Sequence, residues 1–337
     1  MCTDLRLVRL DGMRVSARTL DFAFELGSTL QVVPRGQQWV ATTPPSGGPA
    51  LEWTNDLGFV ALDGFGFHDV FADGLNEAGL SVGTLWLPET DLPHEPAAGE
   101  GAALDFANLA GWLLGTCSTV GDVRAAVASV RVWSSTVRDM WPAGQPMPDL
   151  ALKMADAALT EHLAVHDAAG GDLVVEFTGG TVNVYDNPGG VLTNSPTFPW
   201  HQTNLRNYLG LTTAEEQTYN LMGMPVRPTG NGSGLRGLPG DVTPPSRFVR
   251  ATVLAQASRG ESTPRAAVNQ AFHCLDLVHV PRHVAASGDY TQWYVARDHD
   301  ARVYYTRTYD SWTTDAHDLA ALGVDRPGPR AQLPLPT

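Results

Sequence analysis

Apolar and polar positions alternate with period two at the start of the chain. Residues 2–10 carry Leu5, Leu7 and Leu10, Asp11-Gly12 marks a tight turn, and MRVSAR (13–18) leads back, which predicts a β-hairpin. Segments 57–65, 68–73 and 79–87 read as further short strands, punctuated by Gly and Asn. The period then lengthens. LDFANLAGWLLG (104–115) has helical apolar spacing, and Ser118 or Thr119 can cap a second helix through TVGDVRAAVASV (119–130). Strand alternation resumes over 162–195, where Gly-Gly pairs at 170–171 and 179–180 divide it into a meander. Residues 223–245 form a Gly/Pro-rich excursion, expected as a long ordered loop. Helical patterns return at 246–258 and 263–275, and QWYVARDHDARVYYTRTYD (292–310) predicts a closing hairpin. Strands and helices come in blocks. That order favours an α+β arrangement of segregated sheets and helix layers over a βαβ parallel sheet.

Length and charge narrow the function classes. The chain has 337 residues, enough for a sizeable core in two domains or in one large layered domain, and its formal net charge is −14. A negative field argues against nucleic acid or an anionic membrane as partner. No run approaches the roughly 18–20 apolar residues of a membrane helix, and the N-terminus lacks a signal-peptide pattern. Three cysteines, Cys2, Cys117 and Cys274, are too few for a disulfide framework and lack metal-ligand spacing, which suits a cytoplasmic protein. Lys153 is the only lysine. Any Schiff-base or phosphate-binding lysine would be that residue, and nothing around it supports either role.

Several strings have bland readings. Gly232, Gly234 and Gly237 spell GxGxxG, but no strand precedes and no helix follows, so a dinucleotide site is not expected. His162 and His166 fall on one face of an alternating strand, where solvated or hydrogen-bonded histidine is the simpler reading. Asp298, His299 and Asp300 occupy the turn of the last hairpin.

Cys2 is different. Removal of Met1 would leave it as the N-terminal residue, with a thiol and a free α-amine on one carbon. The reference pKa of such an amine, roughly 7.7–8.0, lets it act as a general base near neutrality. Nucleophile and base are then held together covalently. The alternative is an inert small residue in an edge strand. Arg18 and Asp21, on the return strand of the first hairpin, fall beside residues 2–4. A carboxylate there can accept from the α-amine, and a guanidinium can favour a thiolate; a surface ion pair is the alternative.

Taken together, MCT at the start, R-x-x-D at 18–21, DGLNEAGL (73–80), VYDNPGGVLTNSPTFPWHQTNLRNY (184–208), GLPGDVTPPSRFVRA (237–251) and YYTRTYD (304–310) resemble the choloylglycine hydrolase family. This family contains penicillin V acylases and conjugated bile salt hydrolases, within the N-terminal-nucleophile hydrolases. The resemblance covers residues 1–311 and leaves 312–337 as a C-terminal extension of a single 1–337 domain. It implies a four-layer αββα sandwich. It also implies roles: Cys2 as nucleophile with its α-amine as proton shuttle, Arg18 and Asp21 holding it, Asn194 in the oxyanion hole, and Arg247 completing the charged site. Asn76 matches a motif position that a turn explains equally well. Trp86 stands where the family's second oxyanion donor is a backbone N–H, and its indole resembles the Gram-negative-type penicillin V acylase branch, some of whose members cleave N-acyl homoserine lactones. Phe22 and Phe24 could extend a substrate wall or belong to the core. Trp141, Met147 and Met154, in a long 133–156 stretch, either roof the pocket or sit on an inserted surface helix.

These observations predict a cysteine-dependent hydrolase of linear N-acyl amides that needs neither metal nor organic cofactor. Its expected partner is a small-molecule substrate: a penicillin-V-like aromatic acyl amide first, then an acyl homoserine lactone, then a bile salt conjugate. The resemblance also implies a homo-oligomer, with a tetramer favoured. A glutamine amidotransferase domain, which also begins with Cys, would show Gly in place of Thr3 and an attached synthase domain. A non-catalytic β-rich binder would not need the full set of polar site residues. If Met1 is retained, the α-amine belongs to the wrong residue and the protein should be inactive.

Overall fold

The computed structural model describes residues 1–337 apart from 9–10, 65–66, 97–101, 142–143, 145, 148–151, 153–154 and 259–262. The opening alternation forms a hairpin of β1 (Cys2–Val8) and β2 (Arg14–Phe22), whose register sets Cys2 opposite Leu20 and Asp4 opposite Arg18. β3 (Leu30–Val33) follows, then a small hairpin of β4 (Gln38–Val40) and β5 (Glu52–Thr54). The segments expected over 57–87 become β6 (Phe59–Gly64), β7 (Phe67–Asn76) and β8 (Ser81–Trp86). β9 (Ala103–Asp105) and β10 (Arg131–Trp133) pair in parallel around the helices Phe106–Thr116 and Val120–Ser129. Thr119 caps the second helix in a reciprocal box with Asp122.

The meander over 162–195 resolves into β11 (Glu161–His166), β12 (Asp172–Thr178), β13 (Thr181–Asp186) and β14 (Val191–Leu192). The expected long loop overlaps an exposed hairpin, β15 (Tyr219–Leu221) with β16 (Met224–Val226). All six of its residues face solvent, so burial imposes no alternation there. The helices Pro244–Ala257 and Pro264–Asp276 precede the closing hairpin of β17 (Tyr290–Asp298) and β18 (Val303–Thr308). β19 (Asp315–Asp318) and β20 (Ala331–Leu333) end the chain.

Two large sheets result, both antiparallel throughout. One has the order β14-β1-β2-β17-β18-β19 and the other β13-β12-β11-β8-β7-β6-β3-β20. Residues beyond 311 supply an edge strand to each. The helices Pro244–Ala257 and Pro264–Asp276 cover the six-stranded sheet, and Phe106–Thr116 covers β7 and β8 of the other. This is the αββα sandwich that the family resemblance implies. Its central strands are apolar on both faces: in β6, Phe59 and Ala61 join the core under the helix, while Val60 and Leu62 join the core between the sheets.

Candidate active site

Period two decides what the ends of β1 and β2 present. Cys2 and Arg18 face the eight-stranded sheet, where the Arg18 guanidinium donates to the carbonyls of Ala72 on β7 and Thr84 on β8. Thr3 and Asp21 face the helix layer, where Arg247 reaches them from Pro244–Ala257. Arg18 lies across β8 because position 83 is glycine. A Cβ there would stand 3.0 Å from Asp73 Oδ2 and 3.4 Å from Arg18 Cδ.

Cys2, Arg18, Asp21, Asn194 and Arg247 converge, and all five are buried. Arg18 Nη2 donates toward Cys2 Sγ at 3.5 Å. Burial alone would lower the Arg18 pKa, but the charges of Cys2 and Asp73 outweigh it and raise it, so the guanidinium stays charged. Asn194 Oδ1 accepts from the Cys2 backbone N–H at 2.7 Å and from Arg247 Nη2 at 2.8 Å. Arg247 Nη1 donates to the Cys2 carbonyl and Thr3 Oγ1, and its Nε donates to the Val242 carbonyl at 2.9 Å. Asp21 Oδ1 accepts from Thr291 Oγ1 at 2.6 Å. Its Oδ2 lies 3.9 Å from Arg247 and is buried with no hydrogen-bond partner among the described residues. Met1 is present in this form of the chain. Its amine donates to the Asp21 carbonyl and, at 3.3 Å, to Asp289.

The Trp86 backbone follows from ladder geometry. Leu87 N–H donates to the Thr160 carbonyl, and hydrogen-bonded and non-bonded pairs alternate in an antiparallel ladder. The neighbouring pair Trp86–Glu161 is therefore a non-bonded one. The N–H and C=O of Trp86 turn away from β11, toward the edge that β7 leaves open beyond the pair Asp73–Gly83. On that edge Asn194 Nδ2 donates to the Trp86 carbonyl at 2.8 Å. An amide nitrogen carries two hydrogens, so a second Asn194 N–H remains beside the one that the Trp86 carbonyl takes.

A cleft of about 560 Å³, counted out to its open mouth, lies over Cys2. Leu20, Phe22, Phe71, Ala72, Thr84, Trp86, Phe106, Ala107 and Glu161 contribute to its walls. The Trp86 indole is exposed and donates to Thr160 Oγ1 at 3.0 Å. Phe22 lines the cleft, whereas Phe24 packs edge-on against Phe22 at 4.8 Å between centroids and is not part of the lining. Trp141 is not either. It packs edge-on against Phe67, the first residue of β7, at 5.4 Å. Met154 and Lys153 lie outside the described residues.

The other singled-out residues are structural. Asn76 Nδ2 ties the carbonyls of Leu114 and Cys117 to the β7–β8 turn, and its Oδ1 accepts from Ala78 and Leu80. Burial pushes the Cys117 thiol up to about 11 and raises that of Cys274, leaving both as poor nucleophiles. Gly232–Gly237 forms a 3₁₀ turn and loop with no strand–helix setting. Among the described residues no group of three or more His, Cys, Asp or Glu is placed to hold a metal. No helix among them is long and apolar enough to cross a membrane.

Sequence reasoning missed the braces. His201, neutral because burial lowers its pKa to about 4, sets Nε2 at 2.8 Å from the Asn194 carbonyl. His162, expected only to be solvated or hydrogen-bonded, is buried and spans Glu176 at 3.1 Å and the Thr193 carbonyl at 2.9 Å. The two rings pin the backbone on either side of the Asn194 amide. A histidine seven residues after Asn194 was the available signal.

The family model for linear amide C–N hydrolases of the choloylglycine hydrolase family matches residues 2–331. The chain belongs to that family. Among its relatives is a bile salt hydrolase/transferase of Clostridium perfringens, 30% identical over 331 residues, which span 96% of this chain and 94% of the relative. A penicillin V acylase of Pectobacterium atrosepticum is 28% identical over 188 residues, covering 55% and 46% of the two chains. The crystal structure of a conjugated bile acid hydrolase variant from Clostridium perfringens superposes with a TM-score of 0.82 and 27% identity, over 99% of this chain and 97% of that one. The penicillin V acylase of Agrobacterium tumefaciens shares the fold, with a TM-score of 0.77 and 24% identity over 98% and 90%. As a choloylglycine-family protein, the chain is an enzyme of the linear amide hydrolase type.

Proposed function

We propose that this family member hydrolyses N-acyl amides with Cys2 as nucleophile and the Cys2 α-amine, freed by loss of Met1, as general base. The observation that carries this reading is the setting of Cys2. Asn194 Oδ1 already receives its nitrogen, Arg18 faces its sulfur, and the unpartnered Asp21 Oδ2 is a ready acceptor for an ammonium. The sulfur attacks the amide carbon as its proton passes to the amine. Trp86 N–H and the second Asn194 N–H stabilise the oxyanion, each worth about 3 kcal/mol of barrier. The ammonium then protonates the leaving nitrogen, and water, deprotonated by the amine, cleaves the thioester and restores the thiol.

The exposed Trp86 indole, which lines the same cleft as Phe22, favours aromatic or other apolar acyl groups. Bile salt conjugates are the second reading, because similarity to bile salt hydrolases runs along nearly the whole chain. Three free cysteines suit a cytoplasmic enzyme. The exposed Tyr219, Leu221, Met222 and Met224 give an apolar tip through which protomers of a homotetramer would meet, which sedimentation tests.

The central test compares enzyme whose mass shows Cys2 at the N-terminus with enzyme retaining Met1 and with Cys2→Ala, on phenoxyacetyl, homoserine-lactone and glycine- or taurine-conjugated bile amides. Only the first should turn over. Activity with Met1 intact, or within tenfold of wild type in Cys2→Ala, overturns the assignment.

A further inference from the structure

The cleft holds one charged side chain that the proposed reaction does not use. Glu161 opens β11 and stands directly opposite Trp86 in a non-bonded pair, so both side chains leave the same face at close quarters. It lines the same cleft as Phe71, Phe106, Ala107 and Leu159. A carboxylate among such neighbours has lost much of its water and needs a partner. Burial raises its pKa, and a hydrogen bond from Thr84 and the charge of Arg18 offset this only in part. The Nη hydrogens of Arg18 are already taken, and only its Nε–H has no partner among the described residues. Its Nη1 serves Ala72 and Asp73, and its Nη2 serves Thr84 and Cys2. An acyl group seated over Cys2 and running along these apolar residues would bring its own substituents against the Glu161 carboxylate.

We propose that Glu161 is a specificity-determining residue that receives a protonated amine carried by the acyl group of the substrate. The inference rests on the acyl amide hydrolase reading above and narrows its substrate class to acyl groups that are aromatic or apolar and also bear a basic nitrogen. A carboxylate facing an ammonium makes a charge-assisted hydrogen bond that an apolar acyl group cannot offer.

The test compares two amides with the same leaving amine, one phenylacetyl and one α-aminophenylacetyl. kcat/KM is measured in wild type, Glu161→Gln and Glu161→Leu, all with Cys2 at the N-terminus. The preference for the aminated substrate should fall by about 10- to 100-fold in Glu161→Leu. Glu161→Gln, which keeps the shape but loses the charge, should fall between. A ratio that both variants leave within twofold of wild type overturns the inference while the hydrolase reading stands. Wild type that cleaves neither amide overturns the inference, and the hydrolase reading falls with it only if the phenoxyacetyl, homoserine-lactone and bile amides are left intact as well. Should Glu161→Leu fail to fold, the Gln variant decides alone.

Discussion

Asn194→Asp separates the two jobs of the Asn194 amide. The remaining carboxylate oxygen still accepts from the Cys2 nitrogen and from Arg247 Nη2, now as a charge-assisted pair. What disappears is the Nδ2 donor, leaving an oxygen aimed at the Trp86 carbonyl, whose present donor lies 2.8 Å away. Asn194→Ala would be a poorer experiment. It would strip Cys2 N–H, Arg247 Nη2 and the Trp86 carbonyl of a partner at once, and each orphaned buried group costs about 1–3 kcal/mol. Instability would then be mistaken for lost catalysis. With Asp, removal of one oxyanion donor should raise the barrier by about 3–4 kcal/mol, or about 10²- to 10³-fold in kcat. KM should move far less, because the donor acts on charge that develops only in the transition state. Steady-state release of the amine from phenoxyacetyl amides, alongside a thermal melt and intact mass, measures all three. A folded variant with Cys2 at its N-terminus and kcat within tenfold of wild type would refute the oxyanion role.

Two further outcomes are expected. Trp86→Asn should keep catalysis, since the backbone N–H is unchanged, but should cost phenoxyacetyl amides about 1–3 kcal/mol relative to glycine-conjugated bile substrates; an unchanged ratio of specificity constants would make Trp86 a packing residue. His166 lies between Asp4 at 2.7 Å and Asp172 at 2.6 Å, whose charges and hydrogen bonds overcome burial and raise its pKa from 6.5 to about 9. A raised pKa stabilises the protonated form, so its contribution is complete below pH 6.5 and lost as pH rises through about 9. The gap is worth about 3 kcal/mol. Urea titrations from pH 6 to 10 should show wild type losing that much more than His166→Gln, and parallel curves would count against it.

The sequence carried the local part of the fold well. Asp11-Gly12 placed the first hairpin, and with it Arg18 and Asp21 beside Cys2, because a hairpin register is a short-range property. A helix start at Ser118 or Thr119 was equally legible, and Thr119 provides it through contacts with Asp122 three residues on. The partners that decide the interior were illegible for the opposite reason. Arg297 sits in an aromatic strand whose pattern predicts only a hairpin, yet it is buried against Asp4, Ser16 and Asp73, which lie more than 200 residues away in the chain. His299, read as a turn residue, is likewise buried between Ser16 and the Gly79 carbonyl. Glu161 looks like the polar first residue of a strand until the sheet sets it beside Trp86.

That distant network also holds the geometry at Cys2 in place. Asp73 receives Arg297 from β17, the Tyr304 hydroxyl at 2.8 Å from β18 and Arg18 at 3.3 Å from β2. Arg297 in turn holds Asp4 at 2.8 Å, and Asp4 holds His166. Arg18 therefore belongs to a chain of buried charges that ties both sheets together. Two backbone carbonyls and Asp73 take its other Nη hydrogens, and the Trp293 ring lies 5.3 Å from its guanidinium carbon. Moving it would orphan several buried partners at once. The Nη2 hydrogen pointing at Cys2 Sγ is thus fixed before any substrate arrives, and preorganisation of this kind lets a hydrogen bond act on developing charge without first having to reorient.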